Sequence, residues 1–236
     1  MRSRPRILSS LVAVLVLVFA VGVPEAKADD GDEGRTLLVG GAGVGAFSSV
    51  AVTGGANPFD RKLGVGGGVQ VSSEIVGDLL EAHLGVIYAP RGMTASVSSP
   101  FAEVEEDQEV PTSTLITDYS VLQIPVVAGL RFLRQEQWAL FATAGPTASI
   151  FLGRRNRTTD TGWRRPASDD EVRRLTLGIA AGVGADFDLG FGRMTLEARF
   201  DRDLVPLIRT VEGTSERFYH TAVGLHVGLA LPILEW

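Results

Sequence analysis

The chain reads as all-β, an eight-stranded antiparallel up-and-down transmembrane β-barrel, and three observations carry that reading. First, long stretches alternate with a period of two, because successive side chains of a strand point to opposite sides. The clearest case is Asp118 to Leu152. Leu122, Ile124, Val126, Ala128, Leu130 and Phe132 share one face, opposite Gln123, Pro125, Gly129 and Arg131. After the polar connection Leu133 to Gln137, Trp138, Leu140, Ala142, Ala144, Ala148, Ile150 and Leu152 oppose Thr143, Gly145, Thr147 and Ser149. Two alternating arms around a short polar connection make a hairpin. Second, eight such segments are joined by connections that alternate long and short, beginning and ending long. Outer-membrane barrels have this pattern, with short periplasmic turns and longer outer loops, and it places both termini in the periplasm. Third, past residue 28 no run approaches the ~20 apolar residues of a spanning helix, although glycine is abundant at 28 residues and the mean hydropathy is positive.

Met1 to Ala28 stands apart as a targeting segment. Arg2, Arg4 and Arg6 precede an apolar core from Ile7 to Val23, and Ala26-Lys27-Ala28 is a small-x-small cleavage site followed by Asp29-Asp30. That order is a secretory signal peptide; its flanks and cleavage site fit export better than an N-terminal anchor. The barrel domain is then residues 29–236. Of 22 basic and 28 acidic residues, cleavage removes three arginines, Lys27 and Glu25, leaving 18 and 27, a net charge of −9 with Lys62 as the sole lysine. No cysteine follows the cleavage site to carry a lipoprotein anchor. Without cysteine there is no disulfide framework and no thiol chemistry. The acidic balance argues against nucleic acid as a partner.

In chain order, a first strand covers about Thr36 to Val50, its facing blurred by glycines, and Gly54 to Lys62 is a loop. The second strand sets Leu63, Val65, Val69, Val71 and Ile75 against Gly64, Gly66, Gly68, Gln70, Ser72 and Glu74, and Val76-Gly77-Asp78 turns the chain. The third, Leu79 to about Gly92, sets Leu80, Ala82, Leu84, Val86 and Tyr88 against Glu81, His83, Gly85 and Arg91. A solvated loop with Glu103, Glu105, Glu106, Asp107 and Glu109 runs to about Thr117, with divalent cations as a less favoured ligand. The hairpin described above supplies strands four and five, and Gly153 to Asp170 is a loop rich in Arg and Asp. Strand six, Arg173 to Leu189, aligns Leu175, Leu177, Ile179, Ala181, Val183, Ala185, Phe187 and Leu189. Strand seven, after Gly190 to Gly192, sets Met194, Leu196, Ala198 and Phe200 against Thr195, Glu197, Arg199 and Asp201. In the last strand, which follows Leu204 to Glu216, Tyr219 to Ile233 oppose His220, Gly224, His226 and Gly228.

A soluble lipocalin-like barrel would turn its apolar face inward and its other face to water. A water-facing surface carries abundant mixed charge. Here the second face is mostly Gly, Ala, Thr and Ser with a few charges, which suits the interior of a narrow eight-stranded lumen. Tyr88, Phe132, Trp138, Phe187, Phe200 and Tyr219 lie near strand ends on the apolar face, as in the aromatic girdles of membrane barrels. Pro125, Pro146 and Pro232 fall inside strands, so each is expected at a bulge or near a rim where one ladder bond is absent.

Tyr119 to Pro125 (YSVLQIP), then Trp138 to Leu152 with its Gly145-Pro146 pair, resembles the PorT-like outer-membrane β-barrel domain family. Leu80 to Met93 and Gly182 to Phe200 are similar to other strands of that family. The resemblance implies an eight-stranded outer-membrane barrel, often of unassigned function; the namesake's link to protein secretion is not carried over. Outer-membrane barrels often end on an aromatic residue in phase with the apolar face, which the assembly machinery reads. Trp236 supplies the aromatic but is one residue out of phase with Ile233, and a bulge near Pro232 would restore the phase.

The candidate site is a set of inward charges: Glu81, His83, Arg131, Asp186, Glu197, Arg199 and Asp201. Acids and bases around one narrow lumen are expected to pair into a structural network that plugs it, since an unpaired buried charge is costly. The sharper alternative is a small polar channel, for which eight strands leave little bore. An enzyme acting on lipid or peptide would need a nucleophile, a base and an orienting acid within reach. Neither Glu81-His83 nor His220 with Ser215 has a recognisable spacing, so no catalytic residue is assigned. The three histidines lack a metal-ligand pattern, and no cofactor is expected. Gly40 to Gly45 (GGAGVG) lacks the Lys-Ser/Thr of a phosphate loop, and Asn156-Arg157-Thr158 matches a glycosylation sequon by coincidence. The expected partners are outer-membrane lipids and lipopolysaccharide, the barrel-assembly machinery during biogenesis, and an unidentified surface ligand at the outer loops. The resulting expectation is a non-enzymatic barrel of the Gram-negative outer membrane, with a structural or surface-interaction role.

Overall fold

A computed structural model describes residues 36–53, 59–76, 79–98, 112–158, 172–206 and 217–235. The signal segment, the acidic loop Glu103 to Glu109, Ser215 and Trp236 lie outside these residues. The described strand segments are β1 (Thr36–Thr53), β2 (Phe59–Val76), β3 (Leu80–Tyr88), β4 (Arg91–Ser98), β5 (Thr112–Arg134), β6 (Trp138–Thr158), β7 (Leu175–Asp188), β8 (Arg193–Asp203) and β9 (Arg217–Glu235). β3 and β4 are two parts of one strand. Both pair with β5 in one unbroken register, Tyr88 with Leu122 and Arg91 with Tyr119. Every pairing is antiparallel, and β1 bonds both β2 and β9. The sheet therefore closes into a ring of eight with no free edge.

The alternation read from the sequence is the alternation of the wall. Leu63, Val65, Leu177, Val183 and Leu225 point outward and exposed, Val65 at 71 %. Residues of the alternate phase, such as Gln70, Thr176, Glu197 and Arg199, turn inward. An apolar surface of this extent is far larger than a water-soluble monomer tolerates, so it faces lipid. The first strand now has a facing: Leu38, Val44, Ser48 and Val50 are buried inward, and Gly41, Gly43 and Phe47 are outward. Gly40 to Gly45 is plain strand.

Several expected loops are strand. The β4–β5 hairpin pairs Ser98 with Thr112, so Met93 to Ser98 and Thr112 to Thr117 extend the wall beyond the expected end at Gly92. Likewise β1 runs to Thr53, β2 begins at Phe59 and β6 continues to Thr158. Polar composition suggested loops there. In these segments the apolar and polar residues of the sequence no longer alternate cleanly. Asn156 of the apparent sequon lies within β6 opposite Thr117, with its amide oxygen buried.

The prolines divide. Pro232 adjoins a bulge as expected: the β1–β9 register shifts between Leu37 and Leu38, leaving Ile233 as the extra residue. Leu234 thereby joins the outward phase, the phase that Trp236 would continue. Pro125 and Pro146 correct the expectation, because neither lies at a register shift. The β3–β5 ladder skips the pairs opposite Ile124 and Pro125, and the β5–β6 ladder skips those opposite Gly145 and Pro146, with register kept on both sides. Each proline lacks the N–H for its rung, and the ladder resumes in the same register.

Glycine permits the close approaches. A Cβ on inward Gly68 would overlap the Val86 carbonyl, and one on Gly145 would overlap that of Val126. Neighbouring backbones fold over these residues at the sharp corners of a narrow ring. Gly190 closes the β7–β8 turn at φ 80°, and its N–H donates to Asp188 Oδ1 at 2.7 Å.

Candidate functional site

The ring brings side chains from all eight of its strands into one lumen, which divides into three levels. At the short-turn end Glu81 of β3 is the hub. Its Oε1 accepts from Arg131 Nη2 of β5 at 2.6 Å and from Arg193 Nη1 of β8 at 2.5 Å, and its Oε2 lies 3.4 Å from His83 Nε2. Arg131 also bonds Asp186 Oδ2 at 3.2 Å, and Thr195 donates to Asp186 Oδ1 at 2.7 Å. Glu74 of β2 lies 3.8 Å from Arg131 and 3.5 Å from Arg193. Gln70 Nε2 meets His83 Nδ1 at 3.0 Å.

In the middle, Arg199 grips Glu197 on its own strand through Nε at 3.1 Å and Nη2 at 2.6 Å, and Thr143 donates to the same carboxylate at 2.5 Å. His226 faces Glu197 across the β8–β9 ladder. Nearby, Gln123 donates to Asp201 at 2.6 Å. Towards the long-hairpin end, Arg91 pairs with Asp203 at 3.5 Å, and Thr176 donates to Asp203 at 3.2 Å. Apolar packing adds to this level: Tyr119, Val121 and Val172 cluster with Met93 and Phe151, while Val44, Ile87 and Ala89 pack together, and His220 and Ser149 are buried here too.

All seven expected site residues point into the lumen. Glu81, His83, Arg131 and Asp186 form one cluster, Glu197 and Arg199 form a pair, and Asp201 joins neither, being held by Gln123. The expectation omitted Arg193 and Asp203, which sit one and two residues beyond the strand limits assigned to strand seven. Both are in phase with Glu197 and Arg199, so extending the alternation would have found them. It also passed over Ile87, Val121, Val127 and Phe141, which are inward and buried. The lumen is thus partly an apolar core, a composition that period-two reading takes for lipid-facing residues.

Beneath the Glu81 cluster a vestibule of about 280 Å³ opens between the short turns, lined by Glu74, Arg131, Trp138, Asp188 and Arg193 among others. Above it lies a space of about 40 Å³, lined by Gln70, Ser72, His83, Thr195, Glu197 and His226. A third space near His220 and Asp203 is about 10 Å³. Among the described residues no group of three or more His, Asp or Glu is placed to hold a metal ion.

Residues 35–209 match the model of a family described as the outer membrane protein beta-barrel domain. The chain belongs to this family. It is an outer-membrane β-barrel, and the narrower PorT-like likeness is carried by the sequence motifs alone. No curated protein sequence matches the chain. Among solved structures it is similar to Neisserial surface protein A, at 14 % identity and TM-score 0.44, over 84 % of this chain and 99 % of that one. Ail, the attachment invasion locus protein of Yersinia pestis, solved with the heparin analogue sucrose octasulfate, gives 14 % and 0.39 over 84 % and 99 %. The N-terminal β-barrel domain of Pseudomonas aeruginosa OprF gives 11 % and 0.32, also over 84 % and 99 %.

Proposed function

We propose that this outer-membrane barrel is non-enzymatic and has a plugged lumen, serving a structural or surface-interaction role through its outer loops. The observation that carries this reading is the filling of the lumen. Above the vestibule the described spaces are about 40 Å³ and 10 Å³, room for a few waters and no solute. Ion pairs fill the inner part and Tyr119, Val121, Ile87 and Phe151 the outer part. Residues 1–28 are the export signal and 29–236 the barrel domain. Its partners are lipids and lipopolysaccharide around the wall, the assembly machinery during biogenesis, and an unidentified ligand at the loops.

One observation favours a small-solute channel as the second reading. Asp186 and Arg193 line both the vestibule and the 40 Å³ space, so movement of that pair would join them. Replacing Glu197 and Arg199 together separates the two readings. A structural plug loses heat stability and stays impermeable to ions. A change confined to ion selectivity, with stability intact, would establish the channel.

A further inference from the structure

Towards the long-hairpin end the lumen gathers hydrogen-bond donors around one small space. Arg91 of β4, Tyr119 of β5, Ser149 of β6, Asp203 of β8, His220 of β9 and, just before β7, Arg173 all line it. Its volume is about 10 Å³, room for one particle the size of a water molecule or a halide ion. Tyr119, Ser149 and His220 are only 2 %, 4 % and 2 % exposed. Among the described residues neither ring nitrogen of His220 has a hydrogen-bond partner, and neither does Ser149 Oγ or Arg173 Nε. A buried polar group without a partner is costly, so three such side chains around one space point to a ligand. A bulge brings in a further guanidinium. The β5–β6 register shifts between Ser120 and Val121, so Arg155 turns outward while Arg154 turns in, beside the Tyr119 hydroxyl. Of the charged groups that line the space, Arg91 and Arg173 are positive and Asp203 alone is negative. That carboxylate is engaged by Arg91 and Thr176. The next one, Asp201, lies outside the lining and is held by Gln123.

We infer that this space is a binding site for a single monatomic anion, chloride or its chemical equivalent. The donors select the charge. A tyrosine and a serine hydroxyl, an imidazole N–H and guanidinium N–H groups all donate. A halide needs donors alone, whereas a water molecule also needs acceptors for its own two protons. An anion further offsets the excess positive charge of the lining, which is costly to bury without a counter-charge. The volume selects the size: sulfate, phosphate and carboxylates are too large for it. Held there, the ion joins the outer ends of β4, β5, β6, β7 and β9 through groups with no other partner among the described residues, His220, Ser149 and the Nε of Arg173. An anion at this level is compatible with a silent barrel and with a conducting one.

The test is a urea titration of the refolded mature chain in phosphatidylcholine vesicles, read by the heat-modifiable gel band. Sodium chloride replaces sodium gluconate stepwise at constant ionic strength, gluconate being too large to enter. One site on the folded barrel predicts that, above half-saturation, each tenfold rise in chloride multiplies the ratio of folded to unfolded protein about tenfold. His220→Phe should abolish this dependence, and Arg173→Gln should shift it to roughly tenfold higher chloride. If His220→Phe does not fold, Arg173→Gln and the wild-type titration decide. Crystals grown with bromide in place of chloride should show an anomalous peak bounded by Tyr119, Ser149 and His220. A folded fraction indifferent to chloride overturns the inference. So do bromide peaks confined to the surface with a water molecule among those three side chains. Chloride stabilisation that persists undiminished in the variants would place the ion elsewhere and overturn it as well.

Discussion

Glu81 shows how one residue organises the inner lumen. It holds two guanidinium groups, from β5 and β8, at 2.6 and 2.5 Å. Replacing it with glutamine leaves Arg131 and Arg193 short of a counter-charge in a buried place, where removing one partner costs about 3–5 kcal/mol. Glu81→Gln should therefore lower the urea midpoint of the heat-modifiable gel band. An unchanged midpoint would show that the cluster contributes nothing net. The glycines offer a second test, since those facing in and those facing out have different environments. Gly68→Val drives a Cβ into the Val86 carbonyl, whereas a Cβ on outward Gly45 meets nothing within 4 Å. The first substitution should block formation of the shifted band or sharply destabilise it, and Gly45→Val should fold normally. Equal behaviour would contradict the inward and outward assignment of these strands. At this scale the sequence was informative where residues were charged, because an acid or base on a small-residue face has one place to go. It was uninformative where Ile87 and Phe141 turned inward, since apolar side chains suit lumen and lipid alike.

Bulges are the element-scale device that period-two reading could locate only when another signal pointed to them. Pro232 and the out-of-phase Trp236 together called for an extra residue, and the structure places it at Ile233. Inserting one alanine between Leu234 and Glu235 should move Trp236 to the inward phase and reduce assembly into the outer membrane, read as less heat-modifiable protein in membrane fractions at equal expression. Undiminished assembly would mean that the phase of the last residue is not what is recognised. The bulge near Leu152 had no such signal: nothing in GRRNR marks which arginine turns out, because composition alone carries no phase. The same limit explains why β4 and the outer ends of β5 and β6 read as loops. Their registers depend on pairing with each other, and Ser98 to Thr112 is visible only once the strands are aligned.

At the scale of the whole molecule, the fold was legible because lipid outside and a narrow lumen inside impose opposite chemistries on alternate residues. The closure of β1 onto β9 follows from that alternation and from eight strands of sufficient length. The state of the lumen was less legible, because filling depends on the volumes of facing side chains and on which guanidinium reaches which carboxylate. The central claim is that this filling leaves no conducting path. Planar-bilayer conductance of the refolded mature chain tests it most directly, using only protein that shows the heat-dependent gel shift of a folded barrel. The plugged lumen predicts a silent bilayer across a range of voltages. Reproducible discrete steps from that same folded material would contradict it and establish an open lumen.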